Sequence, residues 1–325
     1  MKAILVDPDT RGLSWETVPD PQPRPGEVLV DIHATAVNRA DLLQRSGGYP
    51  PPPGAPEYLG LEMAGVVSEA GGGSEWRPGD RVCALLSGGG YAERVAVPQR
   101  LLHRMPDNWD FTYGAAVPEV FYTAFVNLFL EAGLQPGETA LIHGGASGVG
   151  TAAIQLAKQS GCRVLATAGS EPKLECCRRL GAELAVDYKR ENFAEAVLAH
   201  CDGVDVILDI AGASSLPGNV EVLKLKGRLV VISVLGGTEG ALDVGALLRK
   251  RLRIAGSLLR SRSVAEKAAI KEALEERLWG MIEDGRIEAV IDSVLPVTEA
   301  GEAHRRLAEN RNIGKVVLAV REQEP

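Results

Sequence analysis

The sequence predicts an α/β protein in which a doubly wound parallel sheet is joined to a β-rich domain. Two observations predict this class. Short strand patterns bounded by turn residues crowd the first 118 residues, as in a barrel or sandwich. Strand and helix patterns then alternate over residues 120–280, which indicates a parallel sheet covered by helices. We therefore expect a β-rich domain over 1–119 and 280–325, and a parallel-sheet domain over 120–279.

The β-rich domain contains five candidate strands, separated by turn-forming stretches such as residues 19–26 and 71–74. Alternating apolar residues between such turns are typical of short antiparallel strands. The candidates are Lys2–Val6, Glu27–Val37, Leu61–Ala70, Arg81–Ala84 and Tyr91–Val97.

The parallel-sheet domain contains six apolar runs that alternate with helical patterns. The predicted strands lie near 139–143, 163–167, 184–187, 205–210, 228–233 and 254–259. Beyond residue 280 the pattern predicts strands Ala289–Pro296 and Lys315–Val320 around a helix over Thr298–Glu309. Thr298 is the expected N-cap of that helix, and we expect this last segment to rejoin the first domain.

The most informative segment is a glycine-rich turn between the first strand and first helix of the parallel-sheet domain. Gly145, Ser147 and Gly150 occupy the three positions of the dinucleotide fingerprint, with serine at the middle position. Small residues there permit a tight turn, close approach of a diphosphate and close packing of helix on strand. Gly148 and Val149 open the helix, whose unpaired N–H groups favour phosphate. An ordinary strand-to-helix loop is the alternative, but the repeated alternation that follows favours dinucleotide binding.

The end of the second strand bears on which dinucleotide is bound. NAD-binding folds usually place an acidic residue there to hold the ribose 2′-hydroxyl, whereas this strand runs into Thr167-Ala-Gly-Ser170. Ser170, Lys173 and Tyr188 can donate to a 2′-phosphate, which favours NADPH. Alternatively, Ser170 caps the helix Glu171–Leu180 and Lys173 is a surface lysine.

Composition sets broad limits. The chain has 325 residues, 45% hydrophobic and 24% charged, with a net charge of −8 and no marked basic run, so we expect no nucleic-acid partner. We expect no secretory signal and no apolar segment long enough to span a membrane. Five cysteines without C-x-x-C spacing indicate a reducing compartment, and we expect a cytoplasmic protein. They are Cys83, Cys162, Cys176, Cys177 and Cys201.

The segment Gly137–Lys158 resembles the signature of the zinc-independent quinone oxidoreductases, the zeta-crystallin-like branch of the medium-chain dehydrogenase/reductases. The resemblance covers essentially the whole chain. It is closest to the tumour-suppressor-inducible quinone oxidoreductases, which share a tyrosine before a proline run and a Ser-Leu-Leu-Arg-Ser-Arg segment. One departure is Gly145-Ala-Ser147, where many relatives have a second small residue followed by two glycines. The other matching segments are Ala36–Arg45, Gly47–Gly54, Val117–Phe125, Ser257–Arg262 and Asn310–Lys315.

The resemblance implies a GroES-like catalytic domain and a Rossmann domain that binds NADPH. It places Asn38, Tyr49 and Thr123 near the nicotinamide. It assigns the 2′-phosphate to Ser170, Lys173 and Tyr188, and the far side of the cofactor to Ser257, Leu258, Leu259 and Asn312.

Four of these residues also have a purely structural interpretation. Asn38 could cap a helix over Arg39–Arg45, and Tyr49 could pack in a proline-rich turn. Thr123 could be a core position of a helix, and Asn312 could form a turn before the last strand.

The residues argue against a metal. Zinc-dependent relatives use a cysteine after an early strand and a histidine in a Gly-His-Glu segment. This chain has Asn38 in the first region and Leu61 before Glu62 in the second. Catalytic zinc normally has three protein ligands, so we predict no metal site.

Without a Lewis acid, a quinone is a better hydride acceptor than a simple ketone. We expect NADPH-dependent quinone reduction in which the protein mainly orients the two reactants. The proton would be supplied by water or by Tyr49. One rival is the reduction of activated C=C bonds in enones or enoyl thioesters. Another is a non-catalytic structural or regulatory protein that binds NADPH.

We also expect a homodimer, because Arg253–Leu259 would be the edge strand of the parallel sheet, and two such edges can pair across a two-fold axis.

Overall fold

The computed structural model describes residues 1–321, which form two compact units. The first unit comprises Met1–Tyr122, Leu259–Glu283 and the described residues from Ala289 onward, and the second comprises Thr123–Leu258 and Asp284–Glu288. Residues 259–279 thus belong to the first unit, unlike the predicted boundary at 279. The reason is packing, because Ala268 is fully buried in a hydrophobic cluster of the first unit.

Fifteen strands are present in the described part of the chain. In chain order they are β1 Lys2–Val6, β2 Leu13–Thr17, β3 Glu27–Val37, β4 Glu62–Ala70, β5 Arg81–Leu85, β6 Arg94–Pro98, β7 Leu102–Arg104, β8 Thr139–Ile142, β9 Arg163–Ala168, β10 Leu184–Asp187, β11 Val204–Asp209, β12 Leu223–Val231, β13 Arg253–Gly256, β14 Ile291–Pro296 and β15 Lys315–Ala319.

Eleven α-helices accompany them in residues 1–321. They are α1 Arg39–Arg45, α2 Phe111–Ala115, α3 Pro118–Phe125, α4 Gly148–Gln159, α5 Glu171–Leu180, α6 Phe193–His200, α7 Leu216–Val222, α8 Val244–Lys250, α9 Val264–Leu274, α10 Gly280–Glu283 and α11 Ala300–Ala308. Two π-helical turns, Val126–Glu131 and Glu275–Trp279, extend α3 and α9.

The first unit is built on the long strand β3. It lies in a seven-stranded sheet in which β14, β15, β3, β4, β5 and β7 are neighbours in that order and β6 also pairs with β3. The chain end rejoins this unit as predicted, since β15 runs antiparallel to β3 with Val317 opposite Ala36. Valine, isoleucine and leucine side chains of these strands form its core.

The second unit is a parallel six-stranded sheet with the order β10-β9-β8-β11-β12-β13. This order is that of a doubly wound sheet, the class predicted from the alternating pattern. The strand order reverses between β8 and β11, and ligands of such sheets bind outside the carboxyl ends of the strands at that point.

Several local predictions are wrong. Strands β2 and β7 were not expected, and β6 begins at Arg94 because the region of Tyr91 supplies only an isolated bridge through Ala92. Thr298 does not cap α11. It lies in a 3₁₀ turn, and the N-cap is Glu299 without a side-chain bond.

The expectation that no segment could span a membrane is also wrong by length and composition. The helical run Phe111–Glu131 is 21 residues long and apolar enough to qualify. However, 83% of its apolar window is buried inside the protein, as for the core helix of a globular domain.

Candidate functional site

The glycine-rich turn connects β8 to α4 as the sequence predicts. Ser147 is the N-cap of α4, and its hydroxyl oxygen accepts the N–H of Gly150 at 3.0 Å. The first intrahelical bond runs from the N–H of Thr151 to the carbonyl of Ser147. The N–H groups of Gly148 and Val149 precede it, so they are donors that the helix itself does not satisfy. An anion at this helix end would meet those two donors and the positive end of the helix dipole.

The structure assigns the small residues of the turn different roles from those expected. The left-handed turn position is Gly144, with φ of +65°, rather than Gly145. Gly145 is instead needed for packing, because a Cβ there would lie 2.8 Å from Cβ of Ala166 and from Sγ of Cys177. Gly150 allows the close approach predicted for the third position, since a Cβ would lie 2.2 Å from the carbonyl oxygen of Gly144.

The predicted 2′-phosphate residues follow the neighbouring strand β9. Ser170 is the N-cap of α5 but makes no side-chain capping bond, so its hydroxyl has no partner among residues 1–321. The capping role considered for it is therefore not fulfilled. Tyr188 follows β10, and its hydroxyl lies 2.8 Å from the position that a Cβ on Gly169, the residue before Ser170, would take. Lys173 lies in the first turn of α5, and no carboxylate ends β9. This donor set fits a phosphate better than a ribose hydroxyl.

The residues expected on the far side of the cofactor are divided between the units. Ser257 and Leu258 follow β13 in the second unit, whereas Leu259 and Asn312 belong to the first. The Asn312 side chain is buried and donates to the carbonyl of Gly314 at 2.7 Å. This bond agrees with the structural alternative, in which Asn312 forms a turn before the last strand.

Asn38 lies in a buried polar cluster of the first unit. Its amide nitrogen donates to Oε1 of Glu62 at 2.8 Å, and its amide oxygen accepts from Nζ of Lys315 at 2.6 Å. Lys315 and Glu62 form an ion pair at 2.7 Å with both side chains almost completely buried. The second Glu62 oxygen accepts the N–H of Glu119. The cluster leaves no free polar atom on the Asn38 side chain.

Asn38 is also the N-cap residue of α1, as the structural alternative stated. The carboxylate of Asp41 accepts the backbone N–H of Asn38 at 2.7 Å and that of Gly60 at 2.9 Å. Burial raises the pKa of Asp41 to about 6 despite these bonds, because the charged carboxylate loses its hydration.

Tyr49 is half-buried and is held by an arginine that sequence analysis did not single out. The guanidinium of Arg260 lies over the Tyr49 ring, 5.3 Å from its centroid, and donates to the Tyr49 carbonyl at 3.3 Å. It also donates to the carbonyl of Ser87 and to the side chain of Gln44. Burial raises the pKa of Tyr49, and the positive charge of Arg260 partly opposes that shift. Tyr49 is therefore a neutral phenol at neutral pH.

Arg260 is buried, yet it has no carboxylate partner among the described residues. Its neighbour Lys267 is also buried and donates to the hydroxyl of Ser87 and to the carbonyl of Arg260. The only sequence signal for Arg260 was its position inside the segment Ser257–Arg262.

Thr123 begins the second unit and is 8% exposed. Its carbonyl accepts from the side chain of Asn127 at 2.7 Å. This burial in a helix agrees with the core interpretation, and Thr123 stays a predicted catalytic residue.

No cluster of three histidine, cysteine or acidic residues suited to a metal ion occurs within residues 1–321. At the two positions where zinc-dependent relatives would place ligands, Asn38 is bonded to an ammonium group and Leu61 is a buried apolar residue.

Comparisons with known proteins identify the family. Residues 24–107 match the alcohol dehydrogenase GroES-like domain, and residues 148–276 match the zinc-binding dehydrogenase domain. A quinone oxidoreductase of Rattus norvegicus is 32% identical over 98% of this chain and 97% of its own length.

Solved structures agree. The quinone oxidoreductase of Thermus thermophilus, whose complex with NADPH is known, has a TM-score of 0.85 at 31% identity, covering 98% of this chain and all of that one. An NAD-dependent alcohol dehydrogenase has a TM-score of 0.87 at 33% identity, covering 99% and 100%. The chain therefore belongs to the medium-chain dehydrogenase/reductase superfamily, and within it to the zeta-crystallin-like quinone oxidoreductase branch.

Proposed function

We propose that this protein is an NADPH-dependent oxidoreductase that reduces quinones without a metal ion. The observation that carries the proposal is the donor set after β9. Ser170 begins α5 without a side-chain capping bond, and the Tyr188 hydroxyl lies next to the preceding residue, Gly169. Lys173 adds a positive charge, and no carboxylate ends β9 to hold a 2′-hydroxyl. A 2′-phosphate needs such donors, and a carboxylate would repel it.

The glycine-rich turn fits the rest of such a cofactor. Gly145 and Gly150 keep side chains away from the turn, the small Ser147 side chain caps the helix, and Gly148 and Val149 offer N–H groups to a diphosphate. A nicotinamide, when bound, would supply the hydride. The names of the relatives, several of them quinone oxidoreductases, support a quinone as acceptor.

Tyr49 is the proposed donor to the acceptor's oxygen. Its raised pKa keeps the phenol protonated, so the hydroxyl can donate a hydrogen bond to a carbonyl oxygen and orient it. The proton of the product then comes from water or from this hydroxyl. We propose Asn38 and Thr123 as further residues that shape the reaction site.

The Asn38 cluster supports metal-independent chemistry. The ammonium of Lys315 lies 2.6 Å from the Asn38 oxygen, and a divalent cation bound there would be repelled by that charge. Stoichiometric zinc in the purified protein by metal analysis would contradict this part of the proposal.

The function is tested by steady-state kinetics with NADPH and with NADH. 9,10-Phenanthrenequinone and 1,2-naphthoquinone are compared with an enoyl thioester as acceptors. Preferential reduction of the quinones with NADPH supports the proposal. Faster turnover of the enoyl thioester would favour reduction of activated C=C bonds instead, and NADPH binding without turnover of any acceptor would favour a non-catalytic role.

A homodimer and a cytoplasmic location are further proposals. Strand β13 pairs only with β12 among the described residues and therefore leaves one edge of the sheet unpaired there. An unpaired edge can pair with a second copy across a two-fold axis. Light scattering at micromolar protein tests this, and a monomer would contradict it.

A further inference from the structure

A chain of buried polar side chains lies beneath the glycine-rich turn. His143 follows β8, Thr167 lies near the end of β9, Asp209 ends β11 and Asn219 lies on α7. All four are at most 5% exposed. The proposed cofactor contacts use none of them. Buried polar groups are kept when their hydrogen bonds are satisfied.

Donor and acceptor chemistry fixes the direction of every bond in this chain. The Asn219 amide nitrogen donates to Oδ2 of Asp209 at 3.0 Å, so its oxygen is the atom that lies 2.7 Å from Nε2 of His143. Nε2 must therefore carry the proton. Burial lowers the pKa of His143, so the ring is neutral and Nδ1 is an acceptor.

This series of hydrogen-bonded side chains ends at the glycine-rich turn. Nδ1 of His143 lies 3.0 Å from the Thr167 hydroxyl, which donates to it. The oxygen of that hydroxyl accepts the N–H of Gly144 at 3.4 Å. The Thr167 carbonyl accepts the N–H of Gly145 at 2.9 Å. Thr167 therefore holds two successive residues of the turn, one through its side chain and one through its backbone.

The Asp209 carboxylate forms the other end of this series of hydrogen bonds. It accepts the N–H of Ala211 and the hydroxyl of Ser215, each at 2.7 Å. Residue 144 of the turn favours glycine, because its backbone is left-handed and a Cβ there would lie 2.2 Å from Cδ1 of Ile210.

We propose that Thr167, His143, Asn219 and Asp209 are positioning residues of the dinucleotide site. They hold the glycine-rich turn and the end of β9 in a fixed position relative to each other. Thr167 also lies three residues before Ser170, so the same residue sets the spacing between the diphosphate turn and the 2′-phosphate donors. This inference rests on the proposed use of NADPH.

The test is the dissociation constant of NADPH, measured by titration of its fluorescence without any acceptor. Thr167→Val keeps the shape of the side chain and removes the hydroxyl, whereas Thr167→Ser keeps the hydroxyl. We expect about tenfold weaker binding for the valine variant and binding close to wild type for the serine variant. Thr139→Val is the matched control. Thr139 is buried at the end of β8 that is away from the turn, and its side chain makes no hydrogen bond within residues 1–321. The NADPH affinity of this variant should equal that of the wild type.

A double substitution separates positioning from general destabilisation. His143→Phe removes both ring nitrogens and should weaken binding by itself. Thr167→Val should then add less than about threefold in that background, because its hydroxyl has lost its acceptor. Wild-type affinity in Thr167→Val, or full additivity with His143→Phe, would overturn the positioning role. Failure of the wild-type protein to bind NADPH would instead overturn the proposed function and this inference with it.

Discussion

The glycine-rich turn of the second unit and the Asn38 cluster of the first are built in opposite ways. The turn is made of backbone, and its geometry depends on the absence of side chains at Gly145 and Gly150. The cluster is made of side chains, with a buried ion pair joining Glu62 to Lys315. The turn can be recognised from its own short segment of sequence. The cluster joins residues as far apart as Asn38 and Lys315, separated by 277 positions.

The two regions should also fail differently. A side chain added at a glycine of the turn would clash with neighbouring atoms and would prevent the close approach of a ligand. Removing one member of the cluster leaves a buried charge without its partner. The first fault should appear in cofactor affinity and the second in stability.

The largest expected effect is on the cluster. Lys315→Met leaves the Glu62 carboxylate buried without its cation, and the free energy of unfolding should fall by about 3–5 kcal/mol. Urea unfolding measures this. The control is Glu272→Gln, which breaks the exposed pair with Arg100 and should cost no more than ~1 kcal/mol. Equal losses in the two variants would show that the buried ion pair stabilises the protein no more than an exposed one.

Gly150→Ala tests the turn. A Cβ 2.2 Å from the Gly144 carbonyl forces α4 away from the turn, and NADPH affinity should fall on the order of a hundredfold, or about 2.7 kcal/mol. Gly301→Ala in α11 is the matched control, since a Cβ there meets nothing within 4 Å. Retention of full NADPH affinity in Gly150→Ala would show that the turn tolerates a side chain.

A second buried group of the first unit gives a pH test. Burial lowers the pKa of His103 from 6.5 to about 4, while its ring bonds to Tyr122 and stacks on Trp279. Between these pH values the unfolded chain binds a proton that the folded protein does not, so stability falls as pH is lowered from 6.5 toward 4.

His103→Gln should reduce this slope by up to about 1.4 kcal/mol per pH unit. Urea unfolding of both proteins at pH 6.5, 5.5 and 4.5 measures the difference. Parallel curves for the variant and the wild type would mean that His103 does not titrate as described.

The smallest expected effect concerns Tyr49. Arg260→Lys keeps a positive charge but cannot make the contacts to Tyr49, Ser87 and Gln44 together, so kcat for quinone should fall about tenfold. NADPH affinity should stay unchanged. Arg100→Gln serves as a surface control and should behave like the wild type. A lysine variant with wild-type kcat would show that Arg260 does not hold Tyr49 in its working position.

Much of the fold could be predicted from sequence because hydrophobic periodicity and turn residues are local signals. The parallel sheet, its turn and the return of Lys315–Val320 to the first unit follow from them. The assignment of residues 259–279 could not, because it depends on where α9 finds a buried surface for Ala268. Arg260, the role of Lys315 and the chain below the turn were missed for the same reason, since their partners are distant in sequence.

Cofactor selectivity tests the central proposal most directly. It is measured as the ratio of kcat/KM for NADPH to that for NADH, with 9,10-phenanthrenequinone as acceptor, in the wild type and in Lys173→Ala. The proposal predicts a ratio above about ten in the wild type and a clear decrease in the variant. A wild-type ratio at or below one, or no quinone reduction with either cofactor, would contradict it.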